Sequence, residues 1–215
     1  MEIYLSTSKK KHYKQNKKAL KQWVSVTYPE ISKKAVTENA EIYWTDEVGI
    51  QNTTNYVKGY APIGKTPTIP VATKHIRVNM ISAITNKGKL KFHFYSEKMN
   101  QDNFKKFLIN LMNSTDKKIY VISDNLSAHH GLRLKNWAKT NKDKINLFYL
   151  PSYAPELNPV EYLNNNLKYE IAKTGYSKDR KEIKNKALHI MTNLQSKKNY
   201  IVSLFKNKQV RYAKK

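Results

Sequence analysis

Three carboxylates stand where acidic side chains could act together. Asp46 ends an alternating, strand-like run, Asp124 ends a short continuous apolar run, and Glu161 falls in the first turn of a later helix. If the two runs form neighbouring parallel strands, Asp46 and Asp124 lie side by side at one edge of a sheet. The helix that follows the last strand can bring Glu161 to the same edge.

The ligand chemistry on offer is that of hard divalent cations. The chain has no Cys, so oxygen and imidazole groups are its only metal ligands. Converging carboxylates repel one another, and Mg²⁺ or Mn²⁺ relieves that repulsion through the oxygen ligands these ions prefer. Two such ions, about 3.5–4 Å apart, promote in-line displacement at a phosphodiester. The pattern therefore predicts a site for two Mg²⁺ (or Mn²⁺) ions.

A structural explanation of these acids stays open at this point. An Asp after a strand is commonly a turn former or a helix cap, and with 16 acids in 215 residues a few fall at element ends by chance. Asp143 and Glu156 are set aside because they lie in polar loops without an adjoining buried strand. Glu47 is set aside because alternation puts it on the opposite strand face from Trp44.

The elements that must position these acids alternate in type. Residues 78–84 and 90–95 alternate like strands around a turn containing Asn86 and Gly88, which predicts a hairpin. Helical spacing follows over residues 100–113, with Asn100 as N-cap, and helix, strand and helix patterns follow Asp124. The order predicts an α/β fold with a mixed sheet, a hairpin plus parallel strands, flanked by helices.

Charge is the strongest compositional signal. Forty Lys and Arg against sixteen Asp and Glu give a formal net charge of +24. Seven lysines and one acid occupy residues 1–21, and fourteen basic and three acidic residues occupy residues 166–215. This balance predicts a polyanionic partner, either nucleic acid or an anionic membrane surface, although Lys-rich ends can also be merely solvating.

The composition also limits the class of protein. With 40% hydrophobic residues and only 13 Gly and Pro together, collagen-like and wholly disordered chains are excluded. No apolar run reaches the roughly 18–20 residues of a membrane span, and no signal-peptide pattern opens the chain. These features predict a cytoplasmic protein that does not span a membrane, and contact with a membrane surface is disfavoured because core packing of a last helix explains the apolar residues of the C-terminal segment. The predicted divisions are a basic helical lead-in over residues 1–35, one domain over 36–175, and basic C-terminal helices over 176–215 packed on it.

Four segments carry a family resemblance. They are Thr-Asp-Glu at 45–47, Lys-Gly-Tyr-Ala-Pro-Ile-Gly-Lys-Thr-Pro at 58–67, Val-Ile-Ser-Asp-Asn at 121–125, and Leu-Pro-Ser-Tyr-Ala-Pro-Glu-Leu-Asn-Pro-Val-Glu-Tyr-Leu at 150–163. Together they resemble the catalytic domain of DDE-type transposases of the mariner superfamily, in its bacterial insertion-sequence branch. The 36 residues between Asp124 and Glu161 also match the short second spacer of that branch.

The resemblance implies an RNase H-like fold, a nucleoid-associated enzyme and two Mg²⁺ (or Mn²⁺) ions. It implies that Asp46, Asp124 and Glu161 hold the metals, with Asp46 bridging the two ions. It also implies cleavage of transposon-end DNA, followed by attack of the freed 3′-hydroxyl on target DNA, typically at TA. The partners implied are the transposon ends, the target DNA and a second copy of the chain in a homodimer.

Four further positions gain a role from the same resemblance, and helical spacing after Glu161 adds a fifth. Asn125 and His129 match polar positions beside the second acid, where His129 either contacts a metal ligand or phosphate or only caps the next helix. Asn158 and Pro159 are expected to start the helix and aim Glu161. Lys168, seven residues after Glu161, is expected to contact phosphate, with a solvated surface lysine as the alternative.

The chain departs from the family pattern at two places. The helix-turn-helix region that reads transposon ends normally precedes the catalytic domain, but here the first catalytic strand is reached by residue 42. A split or frameshifted gene, a separately made domain, or a decayed fragment would each account for this, and the first two predict an upstream helix-turn-helix partner. An aromatic residue common three positions after the catalytic Glu is Asn164 here, which is expected to weaken one packing contact.

Two other functions stay open beside the transposase. A catalytically inactive DNA-binding remnant would use the basic ends without cleaving. Another RNase H-like nuclease would fit the acids but not the Asn-Pro-Val-Glu segment.

Overall fold

The computed structural model describes residues 15–52, 62–65, 75–126 and 131–214. One mixed sheet with helices on both faces organises this part of the chain. The strands are β1 (Glu41–Gln51), β2 (Arg77–Ile84), β3 (Leu90–Tyr95), β4 (Ile119–Ser123) and β5 (Ile145–Tyr149). The helices are α1 (Lys17–Gln22), α2 (Tyr28–Thr37), α3 (Gln101–Met112), α4 (Leu132–Thr140), α5 (Val160–Lys173), α6 (Arg180–Ser196) and α7 (Lys198–Leu204).

The sheet order β3-β2-β1-β4-β5 confirms the predicted mixed sheet. Strands β1, β2 and β3 pair antiparallel, β4 pairs parallel to β1, and β5 pairs parallel to β4. The predicted hairpin is β2–β3, whose turn closes with the Gly88 N–H donating to the Thr85 carbonyl over 3.0 Å. Gly88 has φ +88, a left-handed conformation that glycine adopts without strain. A Cβ there would also meet the backbone of Lys198 at the start of α7.

Each face of the sheet buries its own apolar core. One face packs against α2 and the C-terminal helices and includes Trp44, Leu163 and Leu167. The other packs against α3 and α4, with Phe104 and Leu108 fully buried. The Asn100 side chain accepts a hydrogen bond from the Asn103 N–H over 2.8 Å, so the predicted N-cap of α3 is confirmed.

The N-terminal helices contribute to the same core as the sheet. Trp23, in a π-helical turn between α1 and α2, is 4% exposed, and Tyr28 at the start of α2 is 2% exposed. The Tyr28 ring lies 5.4 Å from that of Trp44 on β1. A domain boundary at residue 35 stays a prediction, and the described part of the lead-in packs on the sheet. No helix among the described residues is both long and apolar enough to cross a membrane.

Candidate active site

Asp46 lies inside β1 rather than at its end, so the prediction that it ends the strand is wrong. Strand β1 continues to Gln51 because β2 pairs with it from Trp44 onward. The parallel partner β4 pairs only with the first part of β1 and ends at Ser123. Asp46 therefore lies where β1 loses its parallel neighbour, and Asp124 follows the end of that neighbour. The predicted meeting of Asp46 and Asp124 is confirmed.

A third carboxylate joins these two. Asp46, Glu47 and Asp124 each offer a carboxylate oxygen, and these three atoms lie within 4.8 Å of one another. Glu47 was set aside on sequence grounds because neighbouring strand residues point to opposite faces. The pairing of β4 with β1 ends at Trp44, so within the described part of the chain no strand lies beside Asp46 and Glu47 on that edge, and both side chains can reach Asp124. The alternation of side chains along a strand therefore does not predict that Glu47 lies near the two aspartates.

Glu161 lines the same cleft as the two aspartates. The cleft has a volume of about 330 Å³, and Asp46, Asp124 and Glu161 all contribute to its wall. The remaining lining comes from the segments after β4 and β5 and from Asn158. The structure thus brings all three predicted acids to one cavity, with Glu161 outside the tight group of Asp46, Glu47 and Asp124.

The electrostatics of the cleft disfavour its own negative charge. Burial raises the pKa of Asp46 well above its ordinary value, and repulsion from Glu161, Glu47 and Asp124 raises it further. Burial also raises the pKa of Glu161; nearby Lys168 opposes this shift, and Asp124 adds to it. Partly buried oxygen ligands that repel one another fit a divalent cation, since a cation removes the repulsion and these ions prefer oxygen. The residues present therefore fit the Mg²⁺ or Mn²⁺ that the sequence predicts.

Asn158 connects the first acid to the helix that carries the third. Its side-chain N–H donates to the Thr45 carbonyl over 2.9 Å, next to Asp46. Its Oδ1 accepts from the Val160 N–H over 3.1 Å, at the first residue of α5. Pro159 already has helical backbone angles, φ −63 and ψ −22. Helix α5 thus begins at Val160, one residue later than predicted, and the buried Asn158 connects its first N–H to β1.

The loop between β5 and α5 forms the rim of the cleft. The Asn125 side chain donates to the Ser152 hydroxyl over 2.7 Å, so the polar residue after Asp124 holds this loop. Tyr153 has φ +59, in the left-handed region that non-glycine residues seldom adopt, and its side chain is 47% exposed. Gln15 donates to the Tyr153 carbonyl over 2.9 Å. His129 lies outside the described residues, as does most of the 58–67 segment.

Asn164 contacts Asp46, and sequence reasoning missed this. Its side-chain N–H donates to Asp46 Oδ2 over 2.8 Å, and Asn164 is 1% exposed. The sequence interpretation treated Asn164 only as a weakened packing contact. A polar residue three positions after Glu161, on a buried helix face, was the available signal.

The fold and these carboxylates define the class of protein. The sequence model of the family described as DDE superfamily endonuclease matches residues 41–184, and the chain belongs to this family. A search of curated proteins found no match.

Solved structures share the fold at low sequence identity. The pre-cleavage Mos1 transpososome is 15% identical with a TM-score of 0.68, covering 100% of this chain and 68% of that one. The Mos1 mariner paired-end complex with Mn is 15% identical with a TM-score of 0.66, covering 100% and 68%. The isolated catalytic domain of Mos1 mariner transposase is 13% identical with a TM-score of 0.59, covering 94% and 97%. The predicted RNase H-like fold is confirmed.

Proposed function

We propose that this chain is a transposase catalytic domain that cleaves transposon-end DNA and transfers the freed 3′-hydroxyl strand into target DNA. The observation that carries the proposal is the cleft in which Asp46, Asp124 and Glu161 converge within a DDE-family fold. The Mos1 paired-end complex and the Mos1 strand transfer complex share this fold and support the same chemistry.

Asp46 and Asp124 are the proposed metal ligands, and Glu161 completes the site. Glu47 is within reach of both aspartates and is proposed as an additional ligand. Two bound Mg²⁺ or Mn²⁺ ions would supply charge neutralisation, an activated attacking oxygen and a stabilised leaving oxygen at the phosphodiester. The carboxylates hold that charge at the cleft, and Asn158 keeps the helix carrying Glu161 in register with β1.

Lys168 and Asn125 have proposed roles around the substrate. Burial raises the pKa of Glu161, and Lys168 lies near enough to oppose that rise, so an ammonium at this position can contact a phosphate. Asn125 lines the cleft and positions the loop that contains Ser152. A contact of His129 with phosphate, a homodimer, a helix-turn-helix partner and nucleoid association stay predictions.

The test is nicking of a supercoiled plasmid that carries the inverted repeats flanking the gene. We expect the unaltered chain to nick this DNA in Mg²⁺ or Mn²⁺, and Asp124→Asn to reduce nicking by at least about 10³-fold, because a metal ligand is lost. Asp143→Asn, at an exposed loop position, is the matched control and should nick normally. Equal nicking by Asp124→Asn, or none by the unaltered chain, would overturn the proposal.

A net charge of +24 also fits a protein that binds DNA without cleaving it, so this alternative is tested in the same experiment. A DNA-binding remnant would bind duplex with a steep salt dependence, since lysine contacts to phosphate release counterions whether or not a metal is bound. Steep salt dependence without cleavage in either metal would identify the remnant. Cleavage of RNA hybrids or junctions in preference to transposon ends would identify another RNase H-like nuclease.

A further inference from the structure

A small polar cluster lies behind Asp46, inside the larger apolar core. It consists of Asp46, Asn164 on α5 and Ser82 on β2. Asn164 is 1% exposed and Ser82 is fully buried. Ser82 is the direct cross-strand partner of Asp46, and Asn164 donates to Asp46 Oδ2 over 2.8 Å.

Two buried oxygens of this cluster destabilise the fold. Asn164 Oδ1 and Ser82 Oγ are buried without a hydrogen-bond partner among the residues that the structure describes. A buried amide with an unmade hydrogen bond destabilises a fold, and an apolar residue of similar shape at position 164 would avoid that cost. Asn is also a poorer helix former than Leu at this interior position of α5. The hydrogen bond to Asp46 is therefore what Asn164 provides and an apolar residue at this position would lack.

What Asn164 does provide is a fixed donor to one oxygen of Asp46. The carboxylate group must point toward Glu47 and Asp124 for the three oxygens to lie within 4.8 Å of one another. A free Asp side chain rotates about two bonds, whereas a donor on the opposite side holds one oxygen in place. Asn164 also lies one helical turn after Glu161, so the same helix that presents Glu161 to the cleft holds Asp46 from behind.

We propose that Asn164 is a positioning residue that orients Asp46 for divalent-cation binding. This inference rests on the proposed metal site, and it assigns the affinity of that site in part to a side chain that does not line the cleft. Hydrogen-bond partners of metal ligands commonly contribute about 10–100-fold to affinity.

The experiment is a Mn²⁺ titration of the full chain, with free Mn²⁺ followed by electron paramagnetic resonance. We expect Asn164→Leu to weaken Mn²⁺ binding by about 10–100-fold. In chelator, the same variant should still unfold cooperatively, because removing the unpaired Asn164 Oδ1 offsets part of the cost of leaving Asp46 Oδ2 without its donor. Asn165→Leu, at the exposed neighbouring position, is the matched control and should bind Mn²⁺ like the unaltered chain.

Two further variants keep the test decisive. Asn164→Ala removes the donor without adding bulk, so it should weaken Mn²⁺ binding even if Asn164→Leu fails to fold. Ser82→Ala alters the same cluster but leaves the donor, so it should bind Mn²⁺ normally.

The possible failures are distinguishable. Unchanged Mn²⁺ affinity in Asn164→Leu or Asn164→Ala overturns the positioning role. Equal weakening in Ser82→Ala overturns it too, because the effect would then not depend on the donor. If the unaltered chain binds no Mn²⁺, the proposed metal site itself fails, and the inference fails with it.

Discussion

At the scale of single residues, the charged form of Asp46 destabilises the fold, although the proposed metal site requires it. Its carboxylate is surrounded by Glu47, Asp124 and Glu161, each of which raises its pKa, and by the core behind it. Residues arranged for function commonly cost stability in this way. The cost should be visible whenever no cation is present.

Asp46→Asn should therefore stabilise the metal-free chain. The substitution keeps the size of the side chain but removes one of several repelling charges, so we expect the free energy of unfolding in chelator to rise by about 1 kcal/mol. Added Mg²⁺ should stabilise the unaltered chain and leave the variant unchanged. Urea unfolding with and without Mg²⁺ measures both effects. Asp143→Asn should change neither, and a lower stability of Asp46→Asn in chelator would contradict the argument.

The sequence predicts part of this residue-scale arrangement. The predicted acids converge although Asp46 lies inside β1, because the end of β4 and the start of α5 are local features with recognisable patterns. Glu47 and Asn164 could not be assigned in the same way. The role of Glu47 depends on where a different strand, β4, stops, and that of Asn164 depends on how α5 packs over β1.

At the scale of elements, one ion pair fastens the start of β1 to the β2–β3 turn. Lys89 Nζ lies 2.7 Å from both carboxylate oxygens of Glu41, and the Tyr43 hydroxyl donates to the same carboxylate over 3.1 Å. Burial alone would raise the pKa of Glu41, but the contacts with Lys89 and Tyr43 outweigh it and hold the pKa below its ordinary value.

This lowered pKa gives a stability contribution with a defined pH window. The contribution of Glu41 to the free energy of unfolding is fully present above pH 4.5, the ordinary pKa of Glu. It is lost as the pH falls through the lowered pKa of Glu41. We expect Glu41→Gln to reduce the free energy of unfolding by about 1 kcal/mol at neutral pH, since a charge-assisted hydrogen bond is lost. The difference from the unaltered chain should shrink toward acid pH.

Urea unfolding at several pH values measures that difference. Glu97→Gln, at an exposed position after β3, is the control and should track the unaltered chain throughout. A difference that stays constant from neutral to acid pH would exclude the lowered pKa of Glu41 as its source.

Elements with a regular spacing of apolar residues are predicted well from the sequence, and the second half of β1 is the exception. The β2–β3 hairpin, α3 and α5 combine regular apolar spacing with a turn or cap residue at the right place. The second half of β1 does not, because Glu47 and Gly49 interrupt its pattern. It is a strand because β2 pairs with it and because Val48 and Ile50 are buried, which are tertiary facts.

At the scale of the whole molecule, residues near both ends of the described chain are hydrogen-bonded to one another and to the loop beside the cleft. The Trp23 indole N–H donates to the Tyr212 hydroxyl over 3.0 Å, and that hydroxyl donates to the Leu157 carbonyl over 2.8 Å. Leu157 belongs to the short 3₁₀ turn Pro155–Leu157, whose first residue lines the cleft. The first helices and the C-terminal turn are thus tied to the loop that lines the cleft.

The mixed sheet also determines the order in which the chain can assemble. The β2–β3 hairpin joins Ile84 to Leu90 across a short turn, whereas β4 must bring Ile119 beside Glu41. Closing the longer connection costs more chain entropy, so we expect the hairpin to form first and β4 to dock later. In pulsed hydrogen exchange during refolding, β2 and β3 amides should gain protection before those of β4; simultaneous protection would contradict this order.

Asp124 follows β4, so it reaches Asp46 only in that late docking step. A cation that needs both aspartates cannot stabilise the early folding intermediate, and it can stabilise only the complete sheet. We therefore expect Mg²⁺ to slow unfolding while leaving the first refolding phase unchanged.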